Sequence, residues 1–151
     1  MAKPFPLQAR LEHSRHRTEA AERLLRILKR REEAARQRLE ELHGFKRDYQ
    51  QRLAGRGATG MDIHLLRDFH AFLVKLDVAI HQQTGEVDKA LGNWRAAHAN
   101  WLVLRQKVKA YETLASRHHA REAASQEKRD QRLTDENALR KHGARGEKSV
   151  I

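Results

Sequence analysis

At 151 residues, with 39% hydrophobic and 34% charged side chains and only two prolines, Pro4 and Pro6, the chain is too polar for a large enclosed core. It is also too free of breakers for a loop-rich fold, and the balance is that of long exposed helices. The absence of cysteine excludes disulfides and thiolate metal sites and points to a reducing compartment. No run approaches the roughly 20 apolar residues of a membrane span, and Met1-Ala2-Lys3-Pro4-Phe5-Pro6 lacks the apolar stretch of a signal peptide. A soluble cytoplasmic protein is expected. The net charge of +11 is spread as +6 over residues 1–53, +2 over 54–115 and +3 over 116–151. Such a field recruits nucleic acid, an acidic membrane face or acidic protein partners, or simply solvates a helix surface.

The first predicted element is a helix over about 7–53. One heptad column holds Leu7, Ser14, Ala21, Leu28, Ala35, Leu42 and Tyr49, and its companion holds Leu11, Thr18, Leu25, Glu32, Leu39, Lys46 and Leu53; ten of the fourteen are apolar. Residues 54–60, Ala-Gly-Arg-Gly-Ala-Thr-Gly, follow as a glycine-rich reversal, since three glycines so close together weaken a helix and permit φ angles that other residues avoid. Asp62, or Thr59 before it, is placed to cap the next helix.

The second helix, predicted over about 62–141, carries the stronger pattern. Leu66, Leu73, Ile80, Val87, Trp94, Trp101 and Val108 alternate with Phe69, Leu76, Gln83, Ala90, Ala97, Leu104 and Tyr111, so thirteen of fourteen seam positions are apolar against eleven of the thirty-two residues between them. That contrast is the signature of a coiled-coil seam. It fades after Ala115, where helix-forming residues persist without an apolar column, so an overhang waiting for a partner is expected. Residues 142–151 read as a flexible tail. The predicted fold is all-α: one domain over 1–151, a long two-helix antiparallel coiled-coil hairpin with an overhanging C-terminal helix.

Folding back about the reversal brings together residues whose numbers sum to 115, and every seam position then meets another. Ala35 faces Ile80, Leu42 faces Leu73, Trp94 faces Ala21, Trp101 faces Ser14 and Leu7 faces Val108; the one polar residue of the second seam, Gln83, falls opposite Glu32. Large against small is what dense packing asks for. A buried polar pair is a device for fixing register.

Little in the chain carries chemistry of its own. Ten histidines include His13 with His16, and His118 beside His119, but neither pair has a third or fourth ligand spaced to complete a zinc site. No phosphate loop, nucleophile elbow or carboxylate pair in a pocket is present, so neither an enzyme nor a cofactor is expected. Beside the seam, Arg38, Phe45 and Arg52 form one column and Leu65, Phe72 and Ala79 the matching one. Phe45 and Phe72 are predicted to meet, half exposed, above Leu42, Tyr49 and Leu76. Aromatics where charges normally flank a coiled coil mark a binding surface or a widened core.

The run Asp68-Phe69-His70-Ala71-Phe72-Leu73-Val74-Lys75-Leu76-Asp77-Val78-Ala79-Ile80-His81-Gln82-Gln83, with Trp94-Arg95 and later Asp130-Gln131 and Asp135-Glu136-Asn137-Ala138, resembles the FliJ family of flagellar type III export proteins. The resemblance implies a soluble antiparallel coiled coil similar to the rotary-shaft subunit of F-type ATPases. It implies a non-enzymatic stalk that binds the hexameric export ATPase, contacts the cytoplasmic domain of the transmembrane export gate and escorts export chaperones. The protein would lie in the cytoplasm, peripherally associated with the inner-membrane export apparatus. Carried over by position, the gate-contacting strip falls on Arg38, Leu42, Phe45, Tyr49, Phe72, Leu76, Ala79 and Gln83, with Arg38, Phe45 and Gln83 differing from the residues of relatives. The ATPase end falls on Asp130, Gln131, Asp135, Glu136 and Ala138. A virulence-type secretion stalk, a basic helical-hairpin nucleic-acid binder and a generic self-associating coiled coil are the competing readings. Dispersed basic residues and seam-bound aromatics weigh against nucleic acid.

Overall fold

Proline confines helix starts, because it lacks an amide and restricts the residue before it. In the computed structural model, which describes residues 2–57, 60 and 62–148, the first helix accordingly starts just beyond Pro6. The Gln8 amide donates to the Phe5 carbonyl at 3.2 Å and the Leu11 amide to the Leu7 carbonyl at 2.9 Å. Two helices make up the regular structure: α1, Gln8–Gly57, and α2, Ile63–Lys148. The chain is an all-α helical hairpin, with no strand among the described residues.

Both helices overrun their expected ends. α1 takes in Ala54 to Gly57, moving the reversal past 53, because glycine costs a helix about 1 kcal/mol each but keeps its amide and carbonyl. The change of direction uses Gly60, whose φ of 85° lies in the left-handed region that a Cβ disfavours. Asp62 precedes α2, and its carbonyl accepts the Leu66 amide at 3.0 Å, the position of an N-cap. Thr59, the other expected cap, lies outside the described residues. At the far end α2 continues through Gly143 and Gly146 to Lys148 rather than giving way to a tail at 142. No proline intervenes to stop it. The last expected tail residues, 149–151, lie outside the described residues.

Packing gathers the chain into two units, Met1–Thr18 with Leu104–Ile151, and Glu19–Val103. In the unit Glu19–Val103, the Gln83 side-chain amide donates to the Ala35 carbonyl at 2.9 Å, and the Tyr49 and Phe69 rings approach to 5.1 Å. Both pairs sum to 118 and the stacked pair Tyr49–Phe72 to 121, so contacts lie three or more above the 115 expected, and one seam column of α1 meets the other column of α2. The reason is geometric. Each side chain leans toward the N-terminus of its own helix, and in an antiparallel pair the two lean in opposite directions. Side chains at one level then belong to residues displaced toward higher numbers on both helices.

The shift corrects expected pairs. Gln83 reaches the Ala35 carbonyl rather than Glu32. Trp94, expected against Ala21, lies beneath the Lys29 ammonium, 5.4 Å from the ring centre, and stacks with His98 at 5.0 Å. His98 in turn touches Trp101 at 5.6 Å, and the Trp101 indole N–H donates to Glu22 at 3.2 Å. Glu32 remains on the seam, 5% exposed, with Lys29 and Arg36 of its own helix each 3.7 Å away and one carboxylate oxygen without a hydrogen bond.

Cysteines placed at Ala35 and Gln83 are therefore expected to crosslink within one chain at high dilution, ahead of the pair Ala35 and Ile80. Electrophoresis after oxidation reads the result. Products joined only between chains would contradict the folded-back arrangement.

In the unit that holds both termini, Leu11, Phe5 and Ala115 form a core packed by Leu7, Val108 and Tyr111. Leu7 and Val108, expected to face one another, both pack against this cluster, which includes a residue ahead of α1. The Lys3 amide donates to Glu122 at 3.2 Å, the His118 ring donates to the Lys3 carbonyl at 2.9 Å, and the Phe5 ring lies 5.7 Å from that of His118. Residues 3–5 thereby strap α2 as far as Glu122. The contacts of residues 3–5 thus reach α2 beyond Ala115, where the apolar seam fades. Arg15 and Glu112, 3.4 Å apart, add an exposed ion pair across the same unit, a contact of the class worth about 1 kcal/mol or less.

Candidate functional site

Within Glu19–Val103, the seam and its flank jointly build a strip near the reversal. Leu76 is buried and Leu42 half-buried, which gives the strip an apolar base. Above it Tyr49 stacks on Phe72 with ring centres 4.2 Å apart and planes inclined by 25°, while its other side meets Phe69. Offset aromatic stacking of this kind fixes both rings at small entropic cost. Phe72 nevertheless stays 40% exposed, and Phe45 57%.

The expected contact between the rings of Phe45 and Phe72 is not made. The ring stacked on Phe72 is that of Tyr49, one helical turn beyond Phe45 on α1. Among the described residues Phe45 touches no aromatic ring. Its exposure makes it a lone apolar side chain beside the stack, ready to bury area on a partner.

Toward higher numbers on α2, Arg38, Leu42, Ala79 and Gln83 line one groove of about 410 Å³, completed by Gln82 and Glu86. Four of the eight expected strip residues thus share a groove, two more form the stack, Leu76 lies at the base and Phe45 stands apart. Gln82 and Glu86 were not singled out as groove residues; their helical spacing of three and seven from Ala79 is the signal that finds them. Lys46 was assigned to the seam, but its ammonium reaches Asp77 across the pair at 2.7 Å and sits beside the strip as a clamp. A lysine at a core position escapes by extending its stem to the edge.

The other expected cluster lies in the unit that holds both termini. Asp130, Gln131, Asp135, Glu136 and Ala138 are all exposed on α2. Helical periodicity places Gln131, Asp135 and Ala138 on one face and Glu136 on the opposite one, so the five do not form a single patch. Asp130 takes a side-chain bond from Gln126 at 3.5 Å, and its carbonyl takes one from the Thr134 hydroxyl at 2.9 Å.

No group of three or more histidine or carboxylate residues among the described residues is placed to hold a metal ion. His118, considered at first as half of a ligand pair, is instead a hydrogen-bond donor to the strap. The sequence signal for that role was Phe5, an apolar residue held between prolines just ahead of a helix, where such residues fold back as a staple. No described helix is long and apolar enough to cross a membrane.

Residues 3–147 match the family model described as "Flagellar FliJ protein". No curated protein and no solved structure matches the chain.

Proposed function

The chain belongs to the FliJ family of flagellar export proteins, a match that spans nearly its whole length, and we propose that it acts as the non-enzymatic central stalk and adaptor of the flagellar type III export ATPase. The observation that carries this reading is the strip around the Tyr49–Phe72 stack, where exposed aromatics replace the charges usual beside a coiled-coil seam. Such a surface, apolar at its centre and bordered by Arg38, Glu86 and the Lys46–Asp77 pair, has the anatomy of a docking site for the cytoplasmic domain of the export gate. α2 beyond Glu122 is helical and almost wholly exposed, which suits a shaft that engages the ATPase ring. A shaft works by contacting ring conformations unequally and needs no catalytic residue. Export chaperones are further partners on this reading, and the protein would sit in the cytoplasm against the export apparatus. The flagellar family match favours this over a virulence-type stalk.

Two assays with purified proteins test it. Phe72→Ala is expected to weaken binding to the cytoplasmic domain of the gate by about 1–3 kcal/mol, while charge reversal at Arg38 has a smaller, salt-dependent effect. Calorimetry reads both, with circular dichroism confirming the helices. The full chain is expected to stimulate ATP hydrolysis by the cognate hexamer, and a chain ending at Glu122, which keeps the strap, to lose that stimulation. Unchanged gate affinity in a folded Phe72→Ala protein removes the strip from the reading. Absence of stimulation by the full chain removes the stalk.

A further inference from the structure

Positive charge dominates this chain, but three of its surface grooves each hold a carboxylate beside their cations. The one at Leu28 and Ala35 sets Arg31 and Lys89 against Glu86, the one at Thr113 sets Lys109 and Arg117 against Glu112, and that of the aromatic strip sets Arg38 against Glu86. In the unit holding the termini, a groove of about 370 Å³ departs from this pattern: Arg10, His13 and Arg17 of α1 and Lys107 of α2 line it, with Ser14 and Tyr111, and no carboxylate does. Among the described residues none of the four basic side chains makes an ion pair or a side-chain hydrogen bond. Three fixed positive charges and an imidazole thus converge on one groove without a counter-charge. Elsewhere in the chain, glutamates are spaced to supply one.

We propose that this groove binds a carboxylate-bearing helical segment of a partner protein. Arg10, His13 and Arg17 stand at i, i+3 and i+7, so they present donors along roughly 10 Å of one helix face. Acidic side chains at the same spacing on a second helix match that ladder, and Lys107 closes it from the facing side. Guanidinium groups take carboxylates in two-pronged fashion, which orients the segment as well as attracting it. Nucleic acid fits less well. A phosphate backbone needs a longer track of cations than two turns provide. Tyr111 is half-buried in the wall rather than free to stack on a base. The inference requires neither the gate nor the ATPase, and its test uses neither.

The test measures fluorescence anisotropy with the full chain and a labelled helical peptide of about 14 residues, four turns, carrying glutamate at i, i+3, i+7 and i+10. A peptide of the same composition in scrambled order, and single-stranded RNA of similar charge, are the comparisons. The patterned peptide is expected to bind tightest, and removing Arg10, Arg17 and Lys107 together by alanine to weaken it about 10-fold. Alanine at Arg26, Arg47 and Lys75 removes the same charge elsewhere and is expected to change affinity less than about 2-fold. Equal binding of patterned and scrambled peptides, or equal losses in the two triple variants, would overturn the groove in favour of a diffuse field. Tighter binding of RNA with the same dependence on Arg10, Arg17 and Lys107 would overturn it in favour of nucleic acid. Should the groove variant lose helicity, Arg17→Gln and Lys107→Gln singly provide the same comparison.

Discussion

Leu11→Ala is expected to destabilise the protein by about 2–4 kcal/mol, the range for emptying a buried leucine site. Leu11 is 2% exposed and sits among Phe5, Ala115, Leu7, Val108 and Tyr111. A two-helix layer has no second shell of apolar side chains to move into the space, so the lost contacts are not regained. The cluster's open edge allows some collapse, which keeps the cost below the largest values seen in globular cores. The loss should be local to the unit with the termini: amides around Ala115 and His118 are expected to exchange faster, while those around Leu76 keep their protection. Urea unfolding followed by circular dichroism gives the total, and hydrogen exchange gives its location. A change below about 1 kcal/mol, or uniform loss of protection, would show that this cluster does not hold the terminal unit together.

Glu32→Leu is expected to do the reverse and stabilise the protein by about 1–3 kcal/mol, because a buried ion pair is often less favourable than a well-packed apolar group of similar size. Its carboxylate is nearly out of water, its two cationic neighbours stand at 3.7 Å, and one oxygen has no hydrogen bond. Leu28 and Ala35, which line the adjoining groove, supply apolar neighbours for the new side chain. Alanine at both Lys29 and Arg36 should act in the opposite direction, leaving a buried charge uncompensated. The urea midpoint of each variant decides. If the carboxylate also selects register, the cysteine pair at positions 35 and 83 will crosslink less uniquely in the leucine variant than in the parent, even as the midpoint rises.

Periodicity made the two helices, the seam and the flanking aromatics legible in the sequence, because each is a property of one helix face. The phase between the helices was not. A heptad pattern puts seam against seam at several offsets, and only side-chain direction and contacts such as Gln83 with the Ala35 carbonyl choose among them. Nor does periodicity show that Phe72 takes the ring of Tyr49 rather than that of Phe45 as its partner. The end of α1 was missed for another reason: glycines at 55 and 57 lower helix propensity without removing a hydrogen bond, and propensity is overridden by continuity with a long helix. The strap at Lys3 to Phe5 lies outside any helix, so no period announces it. Lys46 and Asp77 were hidden because one occupies a seam position and the other a solvent-facing one, and only the length of the lysine stem joins them.

The strap also sets an order of events during synthesis. Lys3 and Glu122 are 119 residues apart in sequence, whereas Tyr49 and Phe69 meet just across the reversal. Closing the longer loop costs about 1.5 kcal/mol more chain entropy if nothing has formed in between, so pairing is expected to start near the reversal and zip toward the termini. A ribosome adding about 5–20 residues per second leaves the first residues of the chain waiting roughly 6–24 s for Glu122 to be made. Phe5, Leu7 and Leu11 stay uncovered until Val108, Tyr111 and Ala115 have been made. Pulse-labelled exchange during refolding would show this as protection at Phe69 to Leu76 preceding protection at Ala115 to Glu122.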